Sequence, residues 1–215
     1  MRKRRIFWIV SLMLLLATAL SFMDRQVLSI SILRIKDDLH ITDTEYGFIN
    51  SGFLISYAVM FTLGGMLIDK YGSRLGLAFS VGFWSLATAL HALSMNAFHF
   101  GLFRFLLGVG EGGCFPGAIK AVIEWVPKQK HAIANGIAIG GSAIGAVVAV
   151  PLCAFTLNYT NWRVLFLISG VLGLIWVLCW LRMTNKYAKE QNQIVNKVSH
   201  SLKMSDFVAL FRNRD

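Results

Sequence analysis

The chain has 215 residues, of which 56% are hydrophobic and only 15% are charged, and its formal net charge is +10. Soluble domains contain about 45–50% apolar and about 25% charged residues, so this composition argues against a soluble enzyme, a secreted disulfide scaffold and a disordered chain. At about 20 apolar residues per membrane-spanning helix plus loops, the length leaves room for roughly six such helices.

The first predicted span follows a basic N-terminus. Residues 2–5 read Arg-Lys-Arg-Arg and an apolar stretch follows, as in a signal peptide, but no small-residue cleavage site ends that stretch. We therefore predict a retained first span and an all-α integral membrane protein. In chain order, the six predicted spans cover residues 6–33, 46–68, 75–95, 97–122, 132–156 and 163–182. Residues 183–215 are predicted to form a basic tail, with a short amphipathic stretch at 204–211.

The distribution of positive charge predicts the orientation of these spans. Most of the 21 Lys and Arg residues lie at the N-terminus, in the loops after spans 2 and 4, and in the tail. Because Lys and Arg concentrate on the cytoplasmic side of membrane proteins, both termini are predicted to be cytoplasmic. The same distribution explains the basic balance without a nucleic-acid partner.

Four charged residues stand out in the interior of the predicted spans: Asp24, Arg25, Arg104 and Glu111. Burying such a group costs at least about 2.5–3.5 kcal/mol, and buried charges usually line a pathway or pair with one another. At about 1.5 Å of rise per residue, the four charges and Tyr57 occupy overlapping depths. Structural ion pairing, for example between Asp24 and Arg104, is one interpretation. A water-accessible cavity is favoured, because two arginines and two carboxylates exceed what cohesion requires.

Span 4 contains a glycine pattern that imitates a nucleotide-binding fingerprint. The run from Gly108 to Gly113 matches G-x-G-x-x-G, but no strand precedes it. The glycines are instead predicted to let helices pack closely, as are Gly136, Gly140, Gly141 and Gly145 in span 5. Pro116 and Pro151 are predicted to kink spans 4 and 5.

Metal and cofactor sites are not predicted. The three cysteines lie in apolar runs and share no metal-ligand spacing. His91 is the histidine of span 3 and is interpreted as an interior filler.

The loop between spans 2 and 3 carries a family resemblance. From Gly64 to Arg74 it reads Gly-Gly-Met-Leu-Ile-Asp-Lys-Tyr-Gly-Ser-Arg, which resembles the loop signature of the major facilitator superfamily. The resemblance implies a six-helix bundle equal to one half of a facilitator fold, with residues 1–182 as the bundle and the tail similar to the start of the central linker. It also implies a conformational latch formed by Gly65, Asp69, Lys70, Gly72 and Arg74.

A closer resemblance is to the anion:cation symporter branch, whose members carry sugar acids such as hexuronates, galactonate and glucarate. It rests on Asp24-Arg25 in span 1, Tyr57 in span 2, and Arg104 with Glu111 in span 4. The resemblance implies that Asp24 and Glu111 couple transport to protons. It implies that Arg25, Tyr57 and Arg104 line the site for the organic anion.

Three positions depart from the pattern of sugar-acid carriers. Ser142, assigned here to substrate binding, and Ala143 stand where those carriers have amide side chains, and Cys114 stands where hexuronate-type members tend to have Asn. Fewer amides mean fewer contacts to sugar hydroxyls, so an organic monocarboxylate is better supported than a named sugar acid.

The leading hypothesis is a proton-coupled organic-anion symporter of the cell inner membrane, working by alternating access and not an enzyme, with this chain as the N-terminal half. Its partners would be the anion, protons, the lipid bilayer and a second six-helix half or a second copy of the chain. An inactive truncated fragment, a non-transporting membrane scaffold and an antiporter of another solute remain as alternatives.

Overall fold

The computed structural model describes the backbone of residues 2–201 and the side chains of residues 4–185. Every regular element between residues 2 and 201 is a helix. The predicted amphipathic stretch at 204–211 lies outside the described residues.

Between residues 2 and 201, seven α-helices follow one another. They are α1 (Arg2–Leu39), α2 (Asp43–Tyr71), α3 (Ser73–Leu90), α4 (Ala97–Glu111), α5 (Cys114–Trp125), α6 (His131–Tyr159) and α7 (Trp162–Ser201), with 3₁₀ turns at His91–Leu93 and Lys128–Lys130. Within the described residues, six helical segments are long and apolar enough to cross a membrane. The predicted six spans and the all-α fold class are therefore confirmed.

The turns between the first spans are specified locally. Thr42 and Glu45 form a capping box at the start of α2, in which the Glu45 amide donates to Thr42 Oγ1 at 3.3 Å and the Thr42 amide donates to Glu45 Oε2 at 2.9 Å. Gly72 ends α2 with φ +82° and ψ 157°, a conformation available almost exclusively to glycine. The tight turn predicted at Gly72 is present.

Span 4 is broken into two helices. α4 ends at Glu111 and α5 begins at Cys114, with a turn at Gly112-Gly113. The cause is Pro116, which has no N–H to donate to the carbonyl of Gly112 four residues earlier. α6, by contrast, continues through Pro151, so the predicted loosening occurs in span 4 and not as an interruption of span 5.

The glycines of spans 4 and 5 differ in their surroundings. A Cβ on Gly110 would lie 2.6 Å from the backbone nitrogen of Trp84, and a Cβ on Gly145 would collide with the backbone of Ala19. These positions join α4 to α3 and α6 to α1, so the close-packing interpretation holds for them. Gly136 and Gly140 have nothing within 4 Å of the position of a Cβ, so they form no close helix contact within the described residues.

The helix that contains the last predicted span continues past residue 182. α7 runs to Ser201 and does not end at 182, because no Gly or Pro interrupts the polar helix-forming residues that follow. The chain divides into two units, Met1–Leu178 and Cys179–Asp215. All features described below belong to the first unit.

Aromatic side chains hold His91 in place. Its side chain is fully buried, and its ring stacks on Phe166 and meets Phe100 edge-on, with both centroids at 4.8 Å. Its Nδ1 lies 2.7 Å from the Ala87 carbonyl. This packing agrees with an interior filler.

Candidate anion and proton site

The four charged residues predicted inside the spans converge near the middle of the bundle. Asp24, Arg104 and Glu111 are at most 3% exposed, and the Arg25 side chain is 27% exposed. Arg104 lies within electrostatic range of both carboxylates. The sequence therefore identified a real cluster of buried charges.

Arg25 and Glu111 form the ion pair of this cluster. The Nη2 and Nε atoms of Arg25 lie 2.8 and 2.9 Å from Glu111 Oε2. Glu111 is the last residue of α4, directly before the Gly112-Gly113 turn. The pair thus joins the middle of α1 to the break in span 4.

Aromatic rings surround the Arg25 guanidinium. Its Cζ atom lies 4.8 Å from the ring centroids of Phe22 and Tyr57 and 5.3 Å from that of Phe53. Cation–π attraction stabilises a guanidinium in such a position, more strongly when water is excluded. Tyr57 therefore lies at the site, as expected.

Arg104 shares an aromatic ring with Arg25. Its Cζ lies 4.6 Å from the centroid of Phe53, so the same ring contacts both guanidinium groups. Arg104 forms no ion pair with Asp24, and its Nε and Nη1 atoms have no hydrogen-bond partner among the described residues. A buried donor without an acceptor is costly. These two N–H groups are therefore available to donate hydrogen bonds to a bound ligand. The Asp24–Arg104 pair expected under the structural interpretation is absent from the described chain.

Asp24 faces a different side of α1. Its carboxylate accepts hydrogen bonds from Thr88 of α3, at 3.3 Å, and from Ser169 of α7. Consecutive residues of a helix point about 100° apart, so Arg25 and Asp24 contact different neighbours. The two carboxylates predicted to couple to protons are not equivalent, because Glu111 is held by an arginine and Asp24 by two hydroxyls.

Ser142 is bonded within its own helix. Its hydroxyl donates to the Ile139 carbonyl at 2.6 Å, and no described hydrogen bond joins it to the charged cluster. Its assignment to substrate binding stays a prediction.

The turn between α2 and α3 is held by α5. Asp69 pairs with Lys120 at 2.9 Å. The Ser73 amide donates to the Glu124 carboxylate at 3.1 Å, and the Trp125 indole donates to the Ser73 hydroxyl at 3.0 Å. Lys120 and Glu124 were missed by sequence reasoning, although their spacing of four residues on one helix face could have indicated a shared partner.

Of the remaining predicted latch residues, Lys70, Gly72 and Arg74 lie at the same turn, and Gly65 lies earlier in α2. Gly65 faces Pro116, whose Cβ is 3.5 Å from the position a glycine Cβ would take. Lys70 is exposed, with its Nζ 5.4 Å from the Tyr71 ring centroid. Gly72 and Arg74 complete the turn and the first turn of α3.

Metal ligation finds no support among the described residues. No group of three His, Cys, Asp or Glu side chains within them could hold a metal ion.

Comparison with known proteins decides the family. The sequence model of the Major Facilitator Superfamily matches residues 14–214 of this chain. The chain belongs to the Major Facilitator Superfamily. The hexuronate transporter of Bacillus subtilis (strain 168) is 33% identical over 194 residues, which cover 90% of this chain and 45% of that protein. The probable L-galactonate transporter of Escherichia coli (strain K12) is 30% identical, over 99% of this chain and 49% of that protein.

The fold agrees with this facilitator family. The crystal structure of a bacterial homologue of the human lysosomal transporter Spinster, inward-facing and occupied, is similar with a TM-score of 0.71 and 25% identity, over 84% of this chain and 44% of that one. The chain spans about half the length of the curated relatives it matches. The expected half of a facilitator fold is confirmed, and the named relatives are transporters, not enzymes.

Proposed function

We propose that this chain is the N-terminal half of a carrier that moves a small organic anion together with protons. The observation that carries the proposal is the buried Arg104, whose Nε and Nη1 donors lack an acceptor in the described chain. Two buried guanidinium N–H groups without an acceptor suit an anionic oxygen such as that of a carboxylate, because hydrogen bonds between charged groups are strong. The names of the relatives, hexuronate and L-galactonate transporters, support a sugar acid or another monocarboxylate as the anion.

Arg25 supplies the second cation, and Glu111 controls access to it. While Glu111 is ionised it binds Arg25 at 2.8 Å, and the anion must compete with an internal carboxylate. Protonation of Glu111 removes that competitor and frees Arg25 for the anion, toward which Tyr57 donates a hydrogen bond. Proton and anion thus bind together, which is the requirement for symport.

The charge balance of the cluster supports the same coupling. The empty site holds two guanidinium groups and two carboxylates, so its formal charge is zero. One proton and one monoanion add no net charge. Because uncompensated buried charge is strongly destabilising, the empty and the loaded site can both pass through a closed conformation, whereas a site holding the anion alone cannot.

Asp24 is proposed to couple protons to helix packing. Ionised, it accepts hydrogen bonds from Thr88 and Ser169 and so ties α1 to α3 and α7. A protonated Asp24 brings an additional donor to this site, which changes both contacts. Protonation there would act on the relative position of the helices during alternating access. Ser142 would join the anion site only after movement of α6.

A second six-helix half, or a second copy of the chain, is proposed to cover α6 and the face of α2 that is turned away from α3. In the apolar membrane-spanning stretch of α2 only 22% is buried, and in that of α6 only 28%. The corresponding shares are 56% for α3 and 61% for the span formed by α4 and α5. The turn formed by Gly65, Asp69, Lys70, Gly72 and Arg74 would act as the latch between the halves. In this proposal the protein lies in the cell inner membrane with both termini in the cytoplasm, as the positive charge of the loops supports.

Reconstituted vesicles test the proposal. Uptake of labelled D-glucuronate and D-galactonate is measured with an inward proton gradient, for the chain alone and for the chain produced together with the C-terminal half of the Bacillus relative. We expect uptake in the second case that a protonophore abolishes. Uptake that the protonophore leaves unchanged would contradict proton coupling, and no uptake in either case would favour a non-transporting fragment or scaffold.

A further inference from the structure

An apolar groove runs along the outside of the bundle, apart from the charged cluster. It has a volume of about 390 Å³, within the range of roughly 300–1,000 Å³ for ligand sites. Leu67 and Tyr71 of α2 and Leu75 and Phe79 of α3 form its walls, and Val109 of α4 contributes to its floor. Tyr71, Leu75 and Phe79 are 55–69% exposed, so the groove opens toward the surroundings of the helices.

The length of the groove fits one leaflet of a bilayer. Its α2 wall extends from Met60 to Tyr71, about 16 Å at 1.5 Å of rise per residue. The hydrocarbon core of a bilayer is about 30 Å thick, so the groove reaches from the turn between α2 and α3 to the middle of the membrane. A single acyl chain of one leaflet matches this length.

The end of the groove at the turn is positively charged. The Lys70 Nζ lies 5.4 Å from the ring centroid of Tyr71, which lines the groove. The neighbouring Asp69 binds Lys120 of α5, so its charge is compensated away from the groove. Lys70 is therefore the cation that lies beside the groove at this end.

We propose that this groove binds an anionic phospholipid, with one acyl chain between α2 and α3 and the phosphate at Lys70. The apolar walls select a hydrocarbon chain, and the cationic turn selects a negative headgroup over a zwitterionic one. The site is independent of the anion and proton site and does not rest on the proposed transport function. It places a lipid against the turn that α5 holds through Asp69 and Ser73.

Native mass spectrometry of the purified chain tests the proposal. The chain is released from detergent containing equal amounts of dioleoyl phosphatidylglycerol and dioleoyl phosphatidylcholine, and the retained lipids are counted. We expect an excess of phosphatidylglycerol that Lys70→Gln lowers about five-fold, as expected for one lysine near an anionic headgroup. Lys128→Gln, which removes another exposed lysine at the turn before α6, should leave the excess unchanged.

A second pair of variants tests the groove itself. Val109→Phe fills the floor and should lower retention of both lipids, whereas Val147→Phe on the exposed face of α6 should not. Equal retention of the two lipids by the unaltered chain, or the same loss in Lys128→Gln as in Lys70→Gln, would overturn the proposal. Unchanged retention in folded Val109→Phe would also overturn it. Lys70→Gln alters only an exposed side chain, so its result stands even if Val109→Phe does not fold.

Discussion

Arg25 binds Glu111 at 2.8 Å, and this ion pair ties the middle of α1 to the residue at which span 4 breaks. The break matters for the pair, since Pro116 frees the backbone at Gly112-Gly113 directly after Glu111. Loss of the pair would therefore release Glu111 directly beside the turn that interrupts the helix of span 4. We therefore propose that protonation of Glu111 changes both the anion site and the contact that holds α1 to the Gly112-Gly113 turn.

Arg104→Lys should weaken anion binding while the fold is retained. Lysine keeps the charge but loses the planar pair of donors that a carboxylate can engage. We expect a loss of at least about 1.5 kcal/mol in binding, close to ten-fold, as for a charge-assisted hydrogen bond. Thermal unfolding with and without D-glucuronate measures both quantities. Arg34→Lys, outside the cluster, serves as the control, and an anion-induced shift unchanged in Arg104→Lys would contradict the assignment.

Phe53→Leu should affect both arginines at once. The ring contacts Arg25 and Arg104, and leucine retains most of the apolar volume while removing the π face. We expect a destabilisation of about 1–2 kcal/mol, since each desolvated cation–π contact contributes up to about 2 kcal/mol. Denaturant unfolding in detergent checks the value, with Phe155→Leu, at 65% exposure, as the matched control. Equal stability of the two variants would show that the Phe53 ring contributes only apolar packing and no cation–π stabilisation.

Asp24→Asn should separate proton coupling from anion exchange. Thr88 and Ser169 donate to different oxygens of Asp24. Asparagine keeps one acceptor oxygen for one hydroxyl and can donate its amide N–H to the other, so both contacts can be retained, but it cannot take up a proton. We expect proton-driven uptake to fall by an order of magnitude or more, as for loss of an acid–base group, while exchange of labelled for unlabelled anion continues. Proton-driven uptake at the original rate would rule out a coupling role for Asp24.

Gly72→Ala should destabilise the turn between α2 and α3. The φ of +82° with ψ 157° lies in a region that costs other residues about 1–3 kcal/mol. Gly52→Ala, with nothing within 4 Å of the new Cβ, is the control and should be neutral or slightly stabilising, because alanine favours a helix. The difference in unfolding temperature between the two variants gives the result. No difference would mean that the turn relaxes without cost.

The spans and the buried charges could be predicted because they follow from composition. Apolar stretches of sufficient length form membrane helices, and Asp24, Arg25, Arg104 and Glu111 stand out because such residues are expensive there. The partner of each charge could not be predicted. Whether Arg25 or Arg104 binds Glu111 depends on the rotation of α1, and neighbouring helix residues differ by about 100°.

The uncharged residues that contact the cluster could not be predicted either, because their contacts also depend on how the helices pack. Phe53, Thr88 and Ser169 belong to residue types that are common in membrane helices, and their role appears only when α1, α2, α3 and α7 are packed together. Phe53 had a signal in its position one turn before Tyr57. Ser142 was chosen by resemblance, and its hydroxyl is bonded within its own helix.

The most direct test of the central claim replaces Glu111 by Gln in the vesicle system, with Glu45→Gln as control. Gln retains the capping box at Glu45 and mimics a permanently protonated Glu111. We expect Glu111→Gln to abolish uptake driven by a proton gradient while anion exchange without a gradient persists. Glu45→Gln should behave like the unaltered chain. Proton-driven uptake that survives Glu111→Gln would contradict the account.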